Sequence, residues 1–210
     1  MEIIYNGPVD GPLFVFAHGA GAPASSDFME KIATGLAEQG IRVARFNFPY
    51  MAQRIAQGTR RPPERAPKLI AQYQQLIADI KQPMVIGGKS MGGRIASLVA
   101  SEVSADEEKI KGIACLGFPF HPINKPEKLR TEHFPLIHQP IFIAQGERDK
   151  LGNKEEVLSY NLPEKIDWLW LADGDHDLKP RVKSGFTHQA HLQTTIIKMA
   201  EFIKQSLINT

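Results

Sequence analysis

Residues 83–100 read PMVIGGKSMGGRIASLVA, and the organisation of the chain follows from them. A short apolar run at 84–86 ends in two glycines. Within five residues it gives way to a stripe of Met91, Ile95, Leu98, Val99 and Val103 at helical spacing. This pattern predicts a strand, a sharp turn and a helix. The turn itself, Gly88-Lys89-Ser90-Met91-Gly92, fits Gly-x-Ser-x-Gly. So tight a turn holds its central residue in a strained conformation, and glycines on both sides prevent backbone clashes. The serine oxygen then projects above the carboxyl end of a sheet. The helix N-terminus beneath it favours developing negative charge. Ser90 is therefore the candidate nucleophile.

Outward from this turn, short apolar runs alternate with amphipathic segments. Strands are predicted over 13–17, 42–46, 84–86, 112–116, 141–144 and 166–171, rich in Val, Ile and Phe. A helix capped by Ser26 or Asp27 runs to about Gln39, with Gly40 as its stop. Pro67 opens a second, with Leu69, Tyr73, Leu76, Ile77 and Ile80 on one stripe. Leu192, Ile196, Met199, Ile203 and Leu207 mark the last. Strand–helix alternation implies an α/β fold: a mostly parallel sheet with helices on both faces. Residues 1–11 read as a short edge strand or hairpin. Segments 49–66 and 117–140 read as loops, the first basic and the second rich in Pro and His. No repeat or long linker divides the chain, so residues 1–210 are expected to be one domain.

Composition excludes several classes. The 210 residues are 42% hydrophobic and 23% charged, which suits a globular core and not a disordered chain. Lys and Arg number 25 against 23 Asp and Glu, too even a balance for a nucleic-acid binder. The lone Cys115 excludes an internal disulfide and a Cys-based zinc cluster. No stretch has the length and apolarity of a membrane span or a signal peptide, so a cytoplasmic protein with no membrane partner is expected.

A serine needs a base to take its proton and an acid to orient that base. In a fold with this elbow the partners follow in the order Ser, Asp or Glu, then His, each just past a later strand. Asp149 lies beyond the 141–144 run, with Glu147 as its rival, and His176 lies beyond 166–171. Asp175 and Asp177 read as a solvated turn. The oxyanion of acyl transfer needs two backbone N–H donors. Met91 supplies one; the loop His18-Gly19-Ala20-Gly21-Ala22 supplies the other, with Ala20 chosen over Gly21. His188 and His191 lie three apart at a helix start, a possible metal pair without an evident third ligand. His18, His121, His133 and His138 read as loop or packing residues, with His121 a candidate to border the pocket.

Two nucleotide-binding patterns compete for the same residues. Gly88-Lys89-Ser90 ends like a phosphate-binding loop, but Pro83 stands where that loop needs Gly, and 84–86 is an apolar strand run. Residues 19–24 match a loose Gly-x-Gly-x-x-Ala fingerprint. The following strand lacks the acidic ribose partner, although Arg45 could serve an NADP variant, and this reading leaves the elbow serine unexplained.

His18-Gly-Ala-Gly-Ala22, Gly87-Gly-Lys-Ser90-Met-Gly-Gly-Arg94, Gln145-Gly-Glu-Arg-Asp149 and Gly174-Asp-His176-Asp-Leu-Lys together resemble an α/β-hydrolase, specifically the small, cap-poor branch related to dienelactone hydrolases. The resemblance runs from about Leu13 to the last helix. It implies Ser90 as nucleophile, His176 as base, Asp149 as orienting acid, and no cofactor or metal. Dienelactone hydrolases carry Cys at the elbow, so lactone specificity does not transfer. A haloalkane dehalogenase would need Asp at position 90. Some members of the branch resemble non-enzymatic subunits, which keeps a binding or scaffold role as the alternative.

The reading is a serine hydrolase that cleaves a carboxylic ester of a small-molecule acyl substrate through an acyl-enzyme. Peptidases and thioesterases use the same three residues. The 21 residues of 119–139 are too few for a separate helical lid, so an open site is expected. Arg54, Arg60, Arg61, Arg65, Lys89, Arg94, Lys179, Arg181 and Lys183 are candidates to ring its mouth and attract anionic esters, against the plain reading of a solvated surface.

Overall fold

The computed structural model describes residues 1–59, 61–106 and 108–208. In chain order its strands are β1 (Ile3–Asn6), β2 (Leu13–Ala17), β3 (Arg42–Phe46), β4 (Met84–Lys89), β5 (Ile110–Leu116), β6 (Ile141–Gly146) and β7 (Ile166–Leu171). The helices are α1 (Asp27–Glu38), α2 (Pro49–Gln57), α3 (Ala66–Ala78), α4 (Met91–Ser101), α5 (Lys154–Leu158) and α6 (His188–Ile208). The strands form one sheet in the order β1-β3-β2-β4-β5-β6-β7. All neighbours are parallel except β1, which pairs antiparallel with β3 at the edge.

Period-two patterning divides the core into two layers. Leu13, Val15 and Ala17 of β2, with Ile86, Ile113, Cys115 and Ile143, pack under Leu69 and Tyr73 of α3 and Ile95 and Val99 of α4. Phe14 and Phe16, with Val85, Ala114, Leu116 and Phe142, face α1 through Met29, Ile32 and Leu36, and α6 through Leu192, Ile196 and Met199. Gly40 takes a φ of 81° just past α1, which is the stop its sequence position predicted.

Of the two predicted loops, one folds differently from expectation. Segment 49–66 contains α2, which starts on Pro49, a residue pre-organised for the first helical position. Tyr50 and Met51 bury themselves against the core, while the rest of α2 is largely exposed. Segment 117–140 holds one short 3-10 turn, Phe134–Leu136, and buries Phe118, Phe120 and Phe134. It packs inward and contains no helical lid. Among the described residues no helix is long and apolar enough to cross a membrane.

The chain runs outward from β2 to β3, then returns to place β4 on the other side of β2. Their carboxyl ends therefore diverge at the point where strand order reverses, the usual place for a ligand crevice in an open α/β sheet. β2 delivers the 18–22 loop there, and β4 delivers Ser90.

Candidate active site

β4 continues three residues past the predicted run and ends on Lys89, so Ser90 is the first residue off the sheet. Ser90 has φ 52° and ψ −116°, outside the ordinary left-handed well, and holds a strained conformation costing about 1–3 kcal/mol. Its N–H donates to Leu116 O (2.9 Å), and its carbonyl accepts from Arg94 N (3.0 Å), the first bond of α4. The flanking glycines are needed sterically. A Cβ on Gly88 would lie 2.6 Å from both Ala17 O and Gly93 N, and one on Gly92 would lie 2.7 Å from His18 O.

The structure brings together the three side chains singled out in the sequence. His176 Nδ1 lies 2.7 Å from Asp149 Oδ2, and His176 Nε2 lies 2.8 Å from Ser90 Oγ. With Asp149 ionised, Nδ1–H donates to the carboxylate, leaving Nε2 to accept the serine proton. Asp149 is fully buried, whereas the His176 ring is 30% exposed, so the reacting end of the chain faces solvent. A neutral imidazole held between a hydroxyl and a buried carboxylate can remove the hydroxyl proton, and the carboxylate then stabilises the imidazolium that forms.

Asp149 is held by two further donors. Leu151 N–H donates to Oδ1 (2.8 Å) and Gln145 Nε2 to Oδ2 (2.9 Å). Gln145 is itself fully buried at the end of β6 and accepts from Phe118 N–H (2.7 Å). The rival Glu147 turns away and pairs with Lys154 (2.7 Å). Of the aspartates read as a solvated turn, Asp175 accepts from the N–H groups of Asp177 and Lys179. Asp177 does more than that, because it pairs with Lys89 (3.1 Å).

Lys89 departs from the expected mouth-ringing role. It lies beneath the His176 turn, only 8% of its side chain exposed, and its Nζ donates to His176 O (2.7 Å). Burial pushes its ammonium below the usual range, opposed by the charge of Asp177. Lys89 thus ties the residue before the elbow serine to the turn that carries the imidazole. Nothing in the local sequence distinguishes such a lysine from a surface one, since the covering turn comes from 87 residues away. Gln145 is equally silent in sequence.

The 18–22 loop packs against the elbow, since a Cβ on Gly19 would meet Ser90 Cβ at 3.8 Å. His18 shapes this loop. Its Nε2 accepts from Phe48 N–H (3.1 Å), so Nδ1–H donates to Gly19 O (2.7 Å). Burial pushes the ring down to about 4, keeping it neutral, against the Gly19 bond that pulls the other way. Ala20 O accepts from Tyr50 O–H (3.0 Å) and Gly21 O from Arg54 (3.3 Å), so both carbonyls turn toward α2. Among the described residues, no hydrogen bond engages the N–H of Ala20 or of Met91.

The other candidates disperse. His188 and His191 each bond a carbonyl of the preceding turn, Asp177 O and Leu178 O. His121 is buried beside Glu156 (3.4 Å). Of the basic candidates, Arg181 pairs with Asp173, Arg61 bonds Gln53, and Arg60 lies outside the described residues.

Residues 10–204 match the family model of the alpha/beta hydrolase domain. Among solved structures, Est1E from Butyrivibrio proteoclasticus is similar at 13% identity and a TM-score of 0.71, covering 98% of this chain and 94% of its own. The esterase domain of a Rhodothermus marinus protein is similar at 17% identity and TM-score 0.66 (98% and 99% covered). A dienelactone hydrolase from Anabaena variabilis gives 16% and 0.67 (99% and 93% covered). At these identities the structures show a shared fold. The family match over nearly the whole length, on a sheet of this topology, places the chain in the alpha/beta hydrolase family.

Proposed function

We propose that the chain, acting as a single domain, is a serine hydrolase that cleaves a carboxylic ester or a related acyl bond. The observation that carries this reading is the unbroken hydrogen-bonded chain from Ser90 through His176 to buried Asp149. Ser90 attacks the acyl carbonyl as His176 takes its proton. The oxyanion forms against the unengaged N–H groups of Met91 and Ala20. Asp149 fixes the tautomer and stabilises the imidazolium, and His176 then returns the proton to the leaving group. Water, activated by the same imidazole, releases the acid from the acyl-enzyme.

Membership in the hydrolase family supports this reading, as does the likeness to proteins described as esterases. A scaffold protein would have no use for a strained serine aligned with an imidazole and a buried carboxylate. The test is a panel of p-nitrophenyl esters and acyl thioesters. Wild-type protein should turn over at least one of them, and Ser90→Ala none. Equal turnover by both proteins, or none by wild type across the panel, overturns the assignment.

A further inference from the structure

Arg94 sits one turn beyond Ser90 on α4, bonded through its N–H to the serine carbonyl. The helical rise places the two Cα atoms about 6 Å apart along the axis. Helical side chains lean toward the N-terminus, so the Arg94 side chain leans back over the turn that carries Ser90 Oγ. Its Nε is buried and has no hydrogen-bond partner.

Arg130 lies in the 117–140 segment, three residues before His133, close enough for its charge to act on Arg94. Its backbone N–H donates to Phe120 O (2.8 Å). His133 fastens the segment to α4. Ser97 Oγ donates to Arg94 O (2.8 Å), so His133 Nε2–H donates to Ser97 Oγ (2.7 Å). Arg94 and Arg130 are both partly buried. Burial lowers the Arg94 guanidinium, and the neighbouring charge of Arg130 pushes it the same way, opposed by Glu132. Yet among the described residues neither arginine has a carboxylate within ion-pair distance.

Two half-buried guanidinium groups that repel each other, with no carboxylate in ion-pair contact, are unfavourable in the free protein. An oxyanion between them would answer both charges and the orphaned Nε, in the planar fork geometry that arginine offers a carboxylate. We propose that Arg94 and Arg130 form a subsite for an ionised carboxylate on the substrate, so that the preferred esters carry a free acid group a few bonds from the scissile carbonyl. This rests on the hydrolase reading of Ser90. Arg94 and Arg130 would act as specificity-determining residues, leaving the proton transfers to the Ser–His–Asp chain.

The test compares monoethyl succinate with ethyl butyrate, which share a four-carbon acyl chain and differ in the free carboxylate. Hydrolysis is followed by pH-stat near neutral pH. The readout is the ratio of kcat/KM for the acidic over the neutral ester, which a general loss of folded enzyme does not move. Wild type should favour the acidic ester. Arg94→Gln and Arg130→Gln should each lower the ratio about tenfold or more, the loss expected for one partly exposed hydrogen bond to a charged group. Arg94→Lys should fall between. A wild-type ratio at or below one, or a ratio unmoved in both glutamine variants, overturns the subsite and leaves the hydrolase reading intact. If wild type cleaves neither ester, succinate is titrated calorimetrically into Ser90→Ala and into Ser90→Ala/Arg94→Gln. Binding by the first and not the second upholds the subsite; equal binding, or none, overturns it.

Discussion

Acid should destabilise this protein earlier than its carboxylates alone would, because two buried histidines are held neutral. His18 and His133 are 0% and 5% exposed, and burial pushes each from the ordinary 6.5 down to about 4. For His133 the charge of Glu132 opposes that shift and that of Arg94 adds to it. Their bonding shows why protonation is costly. His18 Nε2 is already an acceptor for Phe48 N–H, and His133 Nδ1 is buried with no acceptor for a new proton. Between about pH 6.5 and 4 the unfolded chain binds these protons and the folded one does not. The stability they contribute is therefore complete above 6.5 and is lost as the pH falls toward 4. A difference of about 2.5 pH units is worth roughly 3 kcal/mol per residue at most, a large share of the 5–15 kcal/mol typical of a domain. Urea unfolding followed by tryptophan fluorescence, at constant ionic strength from about pH 7.5 to 4.5, measures the loss. His18→Asn and His133→Gln keep a polar group at each position but do not titrate, so each should flatten the curve. Carboxylates titrate equally in wild type and variants and cancel in the comparison. Wild-type and variant curves of the same steepness would refute the reasoning, as would an NMR titration showing the His133 ring charged at pH 6.

Four substitutions test the construction of the site. Asp149→Asn should lower kcat by about 10⁴ with little change in KM, because an amide donor opposite Nδ1 selects the wrong tautomer; a loss under tenfold would argue against the orienting role. Lys89→Met should lower kcat about tenfold by freeing the His176 turn, yet leave Tm unchanged or slightly raised, since a buried ammonium costs desolvation. Unchanged kcat would count against that tie. Gly88→Ala should cost more than about 3 kcal/mol or prevent folding, because its Cβ meets only backbone. Gly21→Ala has no atom within 4 Å of its Cβ and should shift Tm little in the same thermal melts.

The central sheet was legible because its strands carry the signal themselves. The segments 13–17, 42–46 and 166–171 match β2, β3 and β7, each bounded by turn residues. The ends of β4 and β6 were read short, since Gly87, Gly88, Gln145 and Gly146 have low strand propensity and are held there by neighbouring strands. Helix α2 is short and buries only Tyr50 and Met51, and a proline such as Pro49 marks a loop as readily as a helix start. The five-residue α5 rests on a capping box between Asn153 and Glu156. Ser90, Asp149 and His176 could be picked out because the elbow has a motif and its partners have fixed places after strands. Lys89 and Gln145 could not, since their surroundings are assembled from segments distant in the chain. The proposed subsite of Arg94 and Arg130 is of the same kind, because it depends on how 117–140 folds over α4.

Labelling with a fluorophosphonate bears most directly on whether the Ser90 hydroxyl is activated by the His176–Asp149 pair. Intact-mass spectrometry should find one adduct on the wild-type protein, peptide mapping should place it on Ser90, and Ser90→Ala should take up none. An adduct on Ser90→Ala, or one mapped to another residue of the wild type, would contradict the account.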